Sequence, residues 1–257
     1  MNQDEKRVYL INYLLRESSD YRSISVPEKP DEQWRLLRAL MNLRPPKEIS
    51  ADFLAVQDGF LKKEIMDKGI TDIAGLRPIN GNLYLWRGDI TTLKCDGIVN
   101  AANSQMLGCF CPNHGCVDNA IHTYAGIQLR LVCAEIMKKQ GYGLPTGKAK
   151  ITGAFNLPSK YILHTVGPIV CGKLTEQNKN ELIGCYNSCL ALADEHSLRS
   201  IAFCCISTGE FGFPGKAAAE LAVQAVKEYK SRTESRIKVI FNVFKERDYA
   251  LYAKLLR

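Results

Sequence analysis

The sequence predicts an α/β domain of three layers behind a helical N-terminal segment, and two patterns carry this prediction. From about residue 80 onward, short apolar strands alternate with amphipathic helices, which is typical of a sheet covered by helices on both faces. Before about residue 78, apolar residues recur at helical spacing and no strand pattern interrupts them. We therefore divide the 257 residues into a helical extension, residues 1–78, and an α/β domain, residues 79–257.

Three helices are expected in the extension. The first follows the stretch EKRVYLINYLLRE, and the second begins at Pro30 and Asp31. The stretch RPPKEIS ends the second helix, after which Ser50 caps a third helix that Gly69 closes. This region contains no cluster of catalytic or metal-binding residue types. Two roles remain open for the extension: recognition of a modified partner, or simple coverage of the sheet.

Strands and helices then follow in turn through the α/β domain. Strands are predicted within residues 81–90, 96–103, 148–155, 160–167, 200–207 and 236–244. Helices are predicted over residues 178–197, 215–232 and 246–257, and one long helix over residues 117–140 that Gly141 ends. In such sheets, ligands bind beyond the carboxyl ends of the strands, so the loops that follow strands carry the candidate site.

Composition and charge narrow the class of protein. The net charge of +7 is mild for this length and Lys and Arg form no long run, so nucleic acid is not expected as the main partner. No run of about 18 apolar residues and no secretory signal is visible, so we expect a cytoplasmic protein without a membrane span or membrane partner. In a reducing compartment, its ten cysteines should be thiols. Seven dispersed ones are expected to be small buried apolar residues: Cys95, Cys133, Cys171, Cys185, Cys189, Cys204 and Cys205.

Two loops that follow strands have the composition of a phosphate-binding site. NAANSQMLGCFCPNHGC follows the strand DGIV, STGEFGFPG follows the strand IAFCCI, and each loop leads into a helix. A glycine-containing loop that enters a helix presents free backbone N–H groups and the positive end of the helix dipole. Side by side, the two loops would cradle a diphosphate.

The first loop also contains four candidate zinc ligands: Cys109, Cys111, His114 and Cys116. Thiolates and imidazole are good zinc ligands. Four ligands would close the coordination shell, whereas three leave a position open for substrate, and two thiolates keep the site formally neutral. A site confined to one loop ties little of the chain together, which favours catalysis over a structural role. A fourth or exchanging ligand and a disulfide remain the alternatives.

Four stretches in order resemble the motifs of macrodomains, which bind ADP-ribose. GDITTLKCDGIVNAAN resembles their ligand-binding strand and loop, GCVDNAIHTYAG their diphosphate loop, ISTGEFGFP their second phosphate loop, and VIFNVFKERDYALY their last strand and helix. The resemblance covers residues 80–257. It implies a three-layer α/β/α fold with a mixed central sheet.

The first loop departs from the usual macrodomain hydrolases, which have a run of glycines where this chain has CFCPNHGC. This loop and the helical extension resemble the zinc-dependent macrodomains found in bacteria beside sirtuin-type ADP-ribosyltransferases and lipoate-related proteins. Those proteins are protein-ADP-ribose hydrolases with a loop of the form G-C-F-x-P-x-H-x-C. The pattern matches Cys109, His114 and Cys116 as zinc ligands, and it does not require Cys111.

The resemblance implies roles for further residues. Asp118 and Asn103 would be catalytic, with Asp118 orienting or activating water and Asn103 touching the distal ribose. Asp89 and Ile90 would bind adenine, on which Phe244 would stack near Asn242, while Phe213 would cover the distal ribose. The full set implied to contact ADP-ribose is Asp89, Ile90, Asn100, Asn103, Val117, Asp118, Ser207, Thr208, Gly209, Glu210, Phe211, Gly212, Phe213 and Phe244.

Each of these residues also has a structural explanation. Asp89 is suited to cap a turn and Asp118 to stabilise the first turn of a helix. Asn100 is suited to tie buried loops together, and both phenylalanines are suited to pack in a core, Phe244 more so than Phe213. The three histidines outside the first loop are expected to be structural. They are His122, His164 and His196.

The resemblance therefore implies a zinc-dependent hydrolase that removes mono-ADP-ribose from protein side chains, with Asp or Glu as the expected linkage. Zinc would polarise a ribose hydroxyl or a bound water at the distal ribose. The expected partner is an ADP-ribosylated protein, including a lipoyl-carrier-type protein, and a monomer is expected. The alternatives are an ADP-ribose reader whose zinc is structural, a hydrolase of O-acetyl-ADP-ribose, and a purely structural zinc protein.

Overall fold

A computed structural model describes all residues from 1 to 257, and it contains the three-layer fold that the alternating pattern predicts. The central sheet has six strands in the order β2-β8-β7-β4-β6-β5, in which only β5 runs antiparallel to its neighbour. The predicted mixed sheet is therefore confirmed. The strands are β2 (Leu83–Arg87), β4 (Gly97–Ala102), β5 (Ala149–Gly153), β6 (Tyr161–Val166), β7 (Ser200–Phe203) and β8 (Lys238–Val243).

Helices cover both faces of this sheet. On one face α6, α7 and α8 pack in series, and on the other α4 and α5 pack against the sheet and support α2 and α3. Apolar side chains from both layers meet in one continuous core. The helices are α1 (Gln3–Arg16), α2 (Pro30–Leu43), α3 (Ala51–Lys68), α4 (Val117–Ala125), α5 (Ile127–Gln140), α6 (Glu176–Glu195), α7 (Gly215–Thr233) and α8 (Glu246–Leu255).

The three helices of the extension begin and end as their capping residues predict. Ser50 accepts a hydrogen bond from the backbone N–H of Phe53, and Gly69 ends α3 with a φ of 86°. These helices bury a small apolar cluster of their own that also includes Ile127 of α5. A two-residue strand, β1 (Thr71–Asp72), then pairs with a second, β3 (Leu93–Lys94), so the link between the extension and the α/β domain is itself hydrogen-bonded.

The single helix predicted over residues 117–140 is wrong, because Gly126 divides it into α4 and α5. Gly126 has a φ of 97°, and a Cβ at this position would lie 2.6 Å from the side-chain nitrogen of Gln57. The Gln57 side chain accepts a hydrogen bond from the backbone N–H of Ile127 at 3.1 Å. A side chain of the extension therefore occupies the break, and no local pattern in residues 117–140 records it.

Two of the seven cysteines predicted to be buried are not fully buried. Cys171 is exposed and Cys205 is half-buried, whereas Cys95, Cys133, Cys185, Cys189 and Cys204 are buried as predicted. Cys171 lies in the loop between β6 and α6, outside the apolar strands that bury the others. None of the helices combines the length and the apolar character that crossing a membrane would require.

Candidate active site

A cleft of about 720 Å³ opens where the carboxyl ends of β4, β7 and β8 meet, as expected for a sheet of this kind. This volume lies in the range of small-molecule binding sites. Both loops selected from the sequence border the cleft, and so does α3 of the extension. Its lining includes Arg38, Lys68, Asp89, Ile90, Asn103, Cys109, Phe110, His114, Cys116, Val117, Asp118, Gly167, Ser207, Thr208, Gly209, Glu210, Phe211 and Phe244.

The predicted metal ligands converge in this cleft. One ligand atom each from Cys109, His114 and Cys116 lies within 4.8 Å of the other two. The Nδ1 atom of His114 lies 3.7 Å from the Sγ atom of Cys109. Cys111 is exposed and does not belong to the cluster. Two thiols and one imidazole, gathered at a cleft and half-buried, fit a zinc ion with an open coordination position.

Cys116 also begins the helix that follows the loop. Its Sγ atom accepts a hydrogen bond from the backbone N–H of Asn119 at 3.4 Å, in the manner of an N-cap. Burial, together with the neighbouring Cys109 and Asp118, raises the pKa of the Cys116 thiol to about 12. A cation that binds here must therefore displace a thiol proton, which makes its affinity dependent on pH.

The loop of residues 103–116, which carries the three candidate ligands and is called the metal loop below, is held in place by α2 of the extension. The guanidinium of Arg38 donates to the backbone carbonyl of His114 at 2.8 Å and to the side-chain oxygen of Asn119 at 2.7 Å. The buried side chain of Asn42 accepts from the backbone N–H of Asn113 at 3.0 Å. Sequence reasoning missed both residues, because nothing in a helical pattern indicates which polar side chain will reach a loop more than 70 residues away.

A second arginine, Arg130 on α5, donates hydrogen bonds to both the metal loop and the extension. It donates to the backbone carbonyl of Leu107 at 2.6 Å and to that of Asn42 at 2.8 Å, and its guanidinium lies 4.3 Å from the ring centroid of Phe110. Further carbonyls of Met41 and Arg44 accept from the same guanidinium. Burial lowers the pKa of Arg130 to about 10, which leaves it charged at neutral pH. The charged guanidinium thus donates hydrogen bonds to several buried carbonyls at once.

Asp118 lies in the first turn of α4 with its carboxylate buried but bordering the cleft. Burial raises the pKa of Asp118 to about 6, although a hydrogen bond from Asn100 opposes the shift. The Asn100 amide donates to the Asp118 carboxylate at 2.8 Å, and Nε2 of His122 lies 3.6 Å from the same oxygen. The structure places Asn100 fully buried behind Asp118 and not in the cleft, as its structural alternative expected.

The support of Asp118 continues into the core. Nδ1 of His164 accepts from Asn100 at 3.2 Å, and Nε2 of His164 pairs with the hydroxyl of Thr152 at 2.9 Å. Burial lowers the pKa of His164 to about 3, so this ring is neutral. His122, Cys133 and His164 also lie within 4.8 Å of one another, but hydrogen bonds occupy both nitrogens of His164. We therefore assign His164, with Asn100 and Thr152, to a buried hydrogen-bond network behind Asp118 and not to a metal site.

Two residues of the first loop are constrained by this network. Gly108 has a φ of 79°, and a Cβ there would approach the ring of His122 to 2.7 Å, so only glycine fits. The side chain of Asn103 donates to the carbonyl of Gly108 at 3.0 Å and accepts from the N–H of Gln105. Asn103 therefore lines the cleft as predicted for a ribose contact, while its amide shapes its own loop.

The second loop is held mainly by its own backbone. The carbonyl of Ser207 accepts from the N–H of Phe213 at 2.9 Å, and that of Gly209 accepts from the N–H of Gly212. Ser207 and Gly212 adopt positive φ values. Ser207, Thr208, Gly209, Glu210 and Phe211 line the cleft, whereas Gly212 does not.

The predicted contact of Phe213 with the distal ribose is not supported by its position. Phe213 is only 2% exposed and belongs to the apolar core, while Phe211, two residues earlier, lines the cleft. The turn at Gly212 sends the chain inward. The core-packing alternative therefore holds for Phe213.

The opposite end of the cleft carries the predicted adenine site. Asp89 accepts from the N–H and the hydroxyl of Thr91, and its other oxygen pairs with Lys68 of α3 at 2.8 Å. Burial alone would raise the pKa of Asp89, but these hydrogen bonds outweigh it and lower the pKa. Lys68 also lies 3.7 Å from the ring centroid of Tyr124. No sequence pattern indicated a role for Lys68, which is the last residue of α3.

Phe244 is 76% exposed at the end of β8, which excludes the core-packing alternative for this residue. An exposed aromatic ring on the wall of a cleft is available to stack on a planar ligand group. Asn242 lies on the same strand end and donates to the carbonyl of Gly88 at 3.0 Å, which joins β8 to the turn before Asp89.

Comparisons with known proteins agree with this architecture. Residues 99–222 match the family described as Macro domain. A protein-ADP-ribose hydrolase of Treponema medium is 56% identical over 260 aligned positions that cover the whole of both chains. A protein-ADP-ribose hydrolase of Staphylococcus aureus strain MSSA476 is 51% identical over 95% of this chain and 92% of that protein. The solved Trypanosoma brucei macrodomain in complex with ADP-ribose superposes with a TM-score of 0.66 at 31% identity, covering 90% of this chain and 97% of that one.

Proposed function

This chain belongs to the macrodomain family, and on that premise we propose that it is a zinc-dependent protein-ADP-ribose hydrolase that releases mono-ADP-ribose from modified protein side chains. Its full-length similarity to a protein-ADP-ribose hydrolase supports the reaction class. The observation that carries the zinc part of the proposal is the cluster of Cys109, His114 and Cys116 beside Asp118 in one cleft.

We assign the three parts of ADP-ribose to three parts of the cleft. Phe244 and Asp89 border the adenine end, where Phe244 offers a stacking surface and Asp89 a hydrogen-bond acceptor for the amino group. The diphosphate would lie between the two loops, against the backbone N–H groups at the start of α4 and in the second loop. The distal ribose then reaches the metal loop and Asp118.

Zinc, held by Cys109, His114 and Cys116, would supply Lewis-acid polarisation at the distal ribose. With two thiolate ligands the site is formally neutral, so it does not repel the diphosphate. Asp118 positions the attacking water or the ribose, and Asn100 holds the Asp118 carboxylate from behind. Asn103 lies at the same end of the cleft, where its side chain can contact the ribose.

The bond that is cut joins the ribose to a protein carboxylate. Asp and Glu esters suit this site because the leaving carboxylate needs little protonation. Water adds its hydroxyl group either to C1″ or to the ester carbonyl, and its remaining proton accompanies the products. Hydrolysis in ¹⁸O-labelled water distinguishes the two routes, since attack at C1″ labels ADP-ribose and attack at the carbonyl labels the protein.

The substrates we propose are ADP-ribosylated proteins of the cytoplasm, including proteins of the lipoyl-carrier type. The test incubates the protein with an acid-linked mono-ADP-ribosylated protein, with and without a strong zinc chelator, and measures free ADP-ribose and bound zinc in the same samples. Release that stops when zinc is removed supports the proposal. Release that continues without zinc would make the metal structural, and tight binding without release would identify an ADP-ribose reader. A faster reaction on O-acetyl-ADP-ribose than on the protein would indicate a metabolite hydrolase.

A further inference from the structure

We propose that Glu210 is the outer-sphere partner of the metal site, and that through His114 it couples the metal loop to the phosphate-binding loop. This inference rests on the zinc site proposed above. It assigns to the Glu210 side chain a function distinct from the backbone phosphate contact that the sequence suggested.

The two nitrogens of His114 face different partners. Nδ1 faces the Sγ atom of Cys109 at 3.7 Å, whereas Nε2 faces a carboxylate oxygen of Glu210 at 3.5 Å. A histidine that ligates a metal through one nitrogen carries its proton on the other, and that N–H is usually donated to a carboxylate or a carbonyl. Glu210 occupies this position. Its carboxylate would fix the tautomer and the ring orientation of His114 and increase the basicity of the ligating nitrogen.

Both members of this pair are anchored through their backbones. The carbonyl of His114 accepts from Arg38 at 2.8 Å. The second loop is fixed on either side of Glu210, where Ser207 accepts from Phe213 and where the carbonyl of Phe211 accepts from the N–H of Val170 at 2.8 Å. Although the Glu210 side chain is 73% exposed, its starting point is therefore well defined. The pair spans the cleft between two independently anchored loops.

Electrostatics supports the same assignment. The second loop should bind a diphosphate through backbone N–H groups, and a free carboxylate at the centre of that loop would repel the diphosphate. The free N–H of a metal-ligating His114 offers the carboxylate a partner on the opposite wall. The negative charge of Glu210 then serves the metal site and is directed away from the phosphates.

The pair also predicts a coupling between two ligands. A bound metal that fixes His114 would also hold the Glu210 carboxylate on the imidazole N–H, which keeps its negative charge from competing with the diphosphate for the backbone N–H groups of the phosphate loop. ADP-ribose should then bind more tightly to the zinc-loaded protein than to the zinc-free protein, and zinc should bind more tightly when ADP-ribose is present by the same factor.

The first experiment measures zinc affinity by competition with a chromophoric chelator. Glu210→Ala should weaken zinc binding by about 10- to 100-fold, the usual effect of losing an outer-sphere partner. Glu210→Gln should have a smaller effect, because its amide oxygen still accepts the N–H but carries no charge. Glu220→Gln is the matched control, since it removes an acidic group from the exposed face of α7 without touching the metal loop, and its zinc affinity should stay within about twofold of the original.

The second experiment measures ADP-ribose affinity with and without zinc in the original protein and in the Glu210→Ala variant. The gain in affinity caused by zinc should be present in the first and lost in the second, which a purely structural role of Glu210 would not produce. Equal zinc affinities for the original protein and Glu210→Ala, or an undiminished gain, would overturn the inference while leaving the zinc site intact. Failure of the original protein to bind zinc would instead overturn the proposed zinc site.

Discussion

The two loops that form the cleft are stabilised in opposite ways. The metal loop depends on side chains from distant segments, namely Arg38 and Asn42 of the extension and Arg130 of α5. The phosphate loop (residues 207–213) depends mainly on short-range backbone hydrogen bonds between its own residues, with one further backbone hydrogen bond from Val170. A loop that only presents N–H groups can be self-contained, because the turn itself aligns them. A loop that must hold three side chains at ligand distance needs external fixation, since each side chain adds rotational freedom.

The largest effect should follow from removing a metal ligand while keeping the fold. Cys116→Ser retains an N-cap residue for α4 but removes a thiolate, whereas Cys116→Ala removes both. We expect both variants to lose zinc and to lower the hydrolysis rate by at least about 100-fold, the usual effect of losing one electrostatic stabiliser of a transition state. ADP-ribose binding should be partly retained, as isothermal titration would measure. A Cys116→Ser variant with the original hydrolysis rate would refute the metal role.

The buried network beneath the metal loop contains His164, and the titration of this residue should make the free energy of unfolding sensitive to acid. The pKa of His164 is about 3 in the folded protein and about 6.5 when unfolded, so below pH 6.5 only the unfolded chain takes up the proton. This contribution to stability is therefore complete above pH 6.5 and is lost as the pH falls towards 3. Between pH 7 and pH 5 the loss should be about 2 kcal/mol.

Urea unfolding of the original protein and of His164→Gln at pH 7 and pH 5 isolates this loss. The comparison is needed because Asp118, with its raised pKa of about 6, contributes with the opposite sign over the same range, and the buried His122 contributes with the same sign as His164. His164→Gln keeps hydrogen-bonding groups but cannot titrate, so the difference between the two pH values should shrink by about the same amount. His196→Gln is the control, because His196 is exposed at the end of α6. An unchanged difference in His164→Gln would mean that His164 does not remain neutral in the fold.

An effect of moderate size on zinc affinity should distinguish the side-chain support of the metal loop from the backbone support of the phosphate loop. Arg38→Ala removes hydrogen bonds to both His114 and Asn119, and it should lower zinc affinity by about tenfold. Arg38→Lys should not restore it, because a lysine cannot reproduce the forked contact. Thr208→Ala removes only a hydrogen bond to Cys205 within the phosphate loop and should leave zinc affinity unchanged. Equal effects of Arg38→Ala and Thr208→Ala would contradict the proposed difference between the loops.

The smallest effect is expected at the far end of the cleft. Phe244→Ala should weaken ADP-ribose binding by about 0.5–1.5 kcal/mol through loss of stacking. Zinc affinity and thermal stability should not change, because the ring is exposed and does not contact the metal loop. A loss of stability in this variant would mean that Phe244 packs against the rest of the fold and is not available to stack on a ligand.

Short-range patterns in the sequence predicted most of the fold and drew attention to the loop in which Cys109, His114 and Cys116 come together. Alternating strands and helices indicated the layers, and four candidate ligands stood within one loop. The supporting residues Arg38, Asn42, Lys68 and Arg130 could not be found this way, since their partners are distant in the chain.

Sequence reasoning also erred where a single turn decides the direction of a side chain. The family resemblance placed Phe213 over the distal ribose, whereas the turn at Gly212 buries Phe213 and leaves Phe211 lining the cleft. Sequence reasoning read residues 117–140 as one helix, because the side chain of Gln57 that fills the break at Gly126 comes from another segment. Both errors concern contacts that only the folded chain defines.

The contacts of Arg38 with His114 and Asn119 span 76 and 81 residues of chain. Contacts of such long sequence separation form late in folding, because closing a long loop costs entropy before any contact repays it. The metal loop should thus reach its final geometry only after the extension has docked on the α/β domain. High-affinity zinc uptake would then report that folding is complete, and a nascent or truncated chain would not compete for zinc with the finished protein.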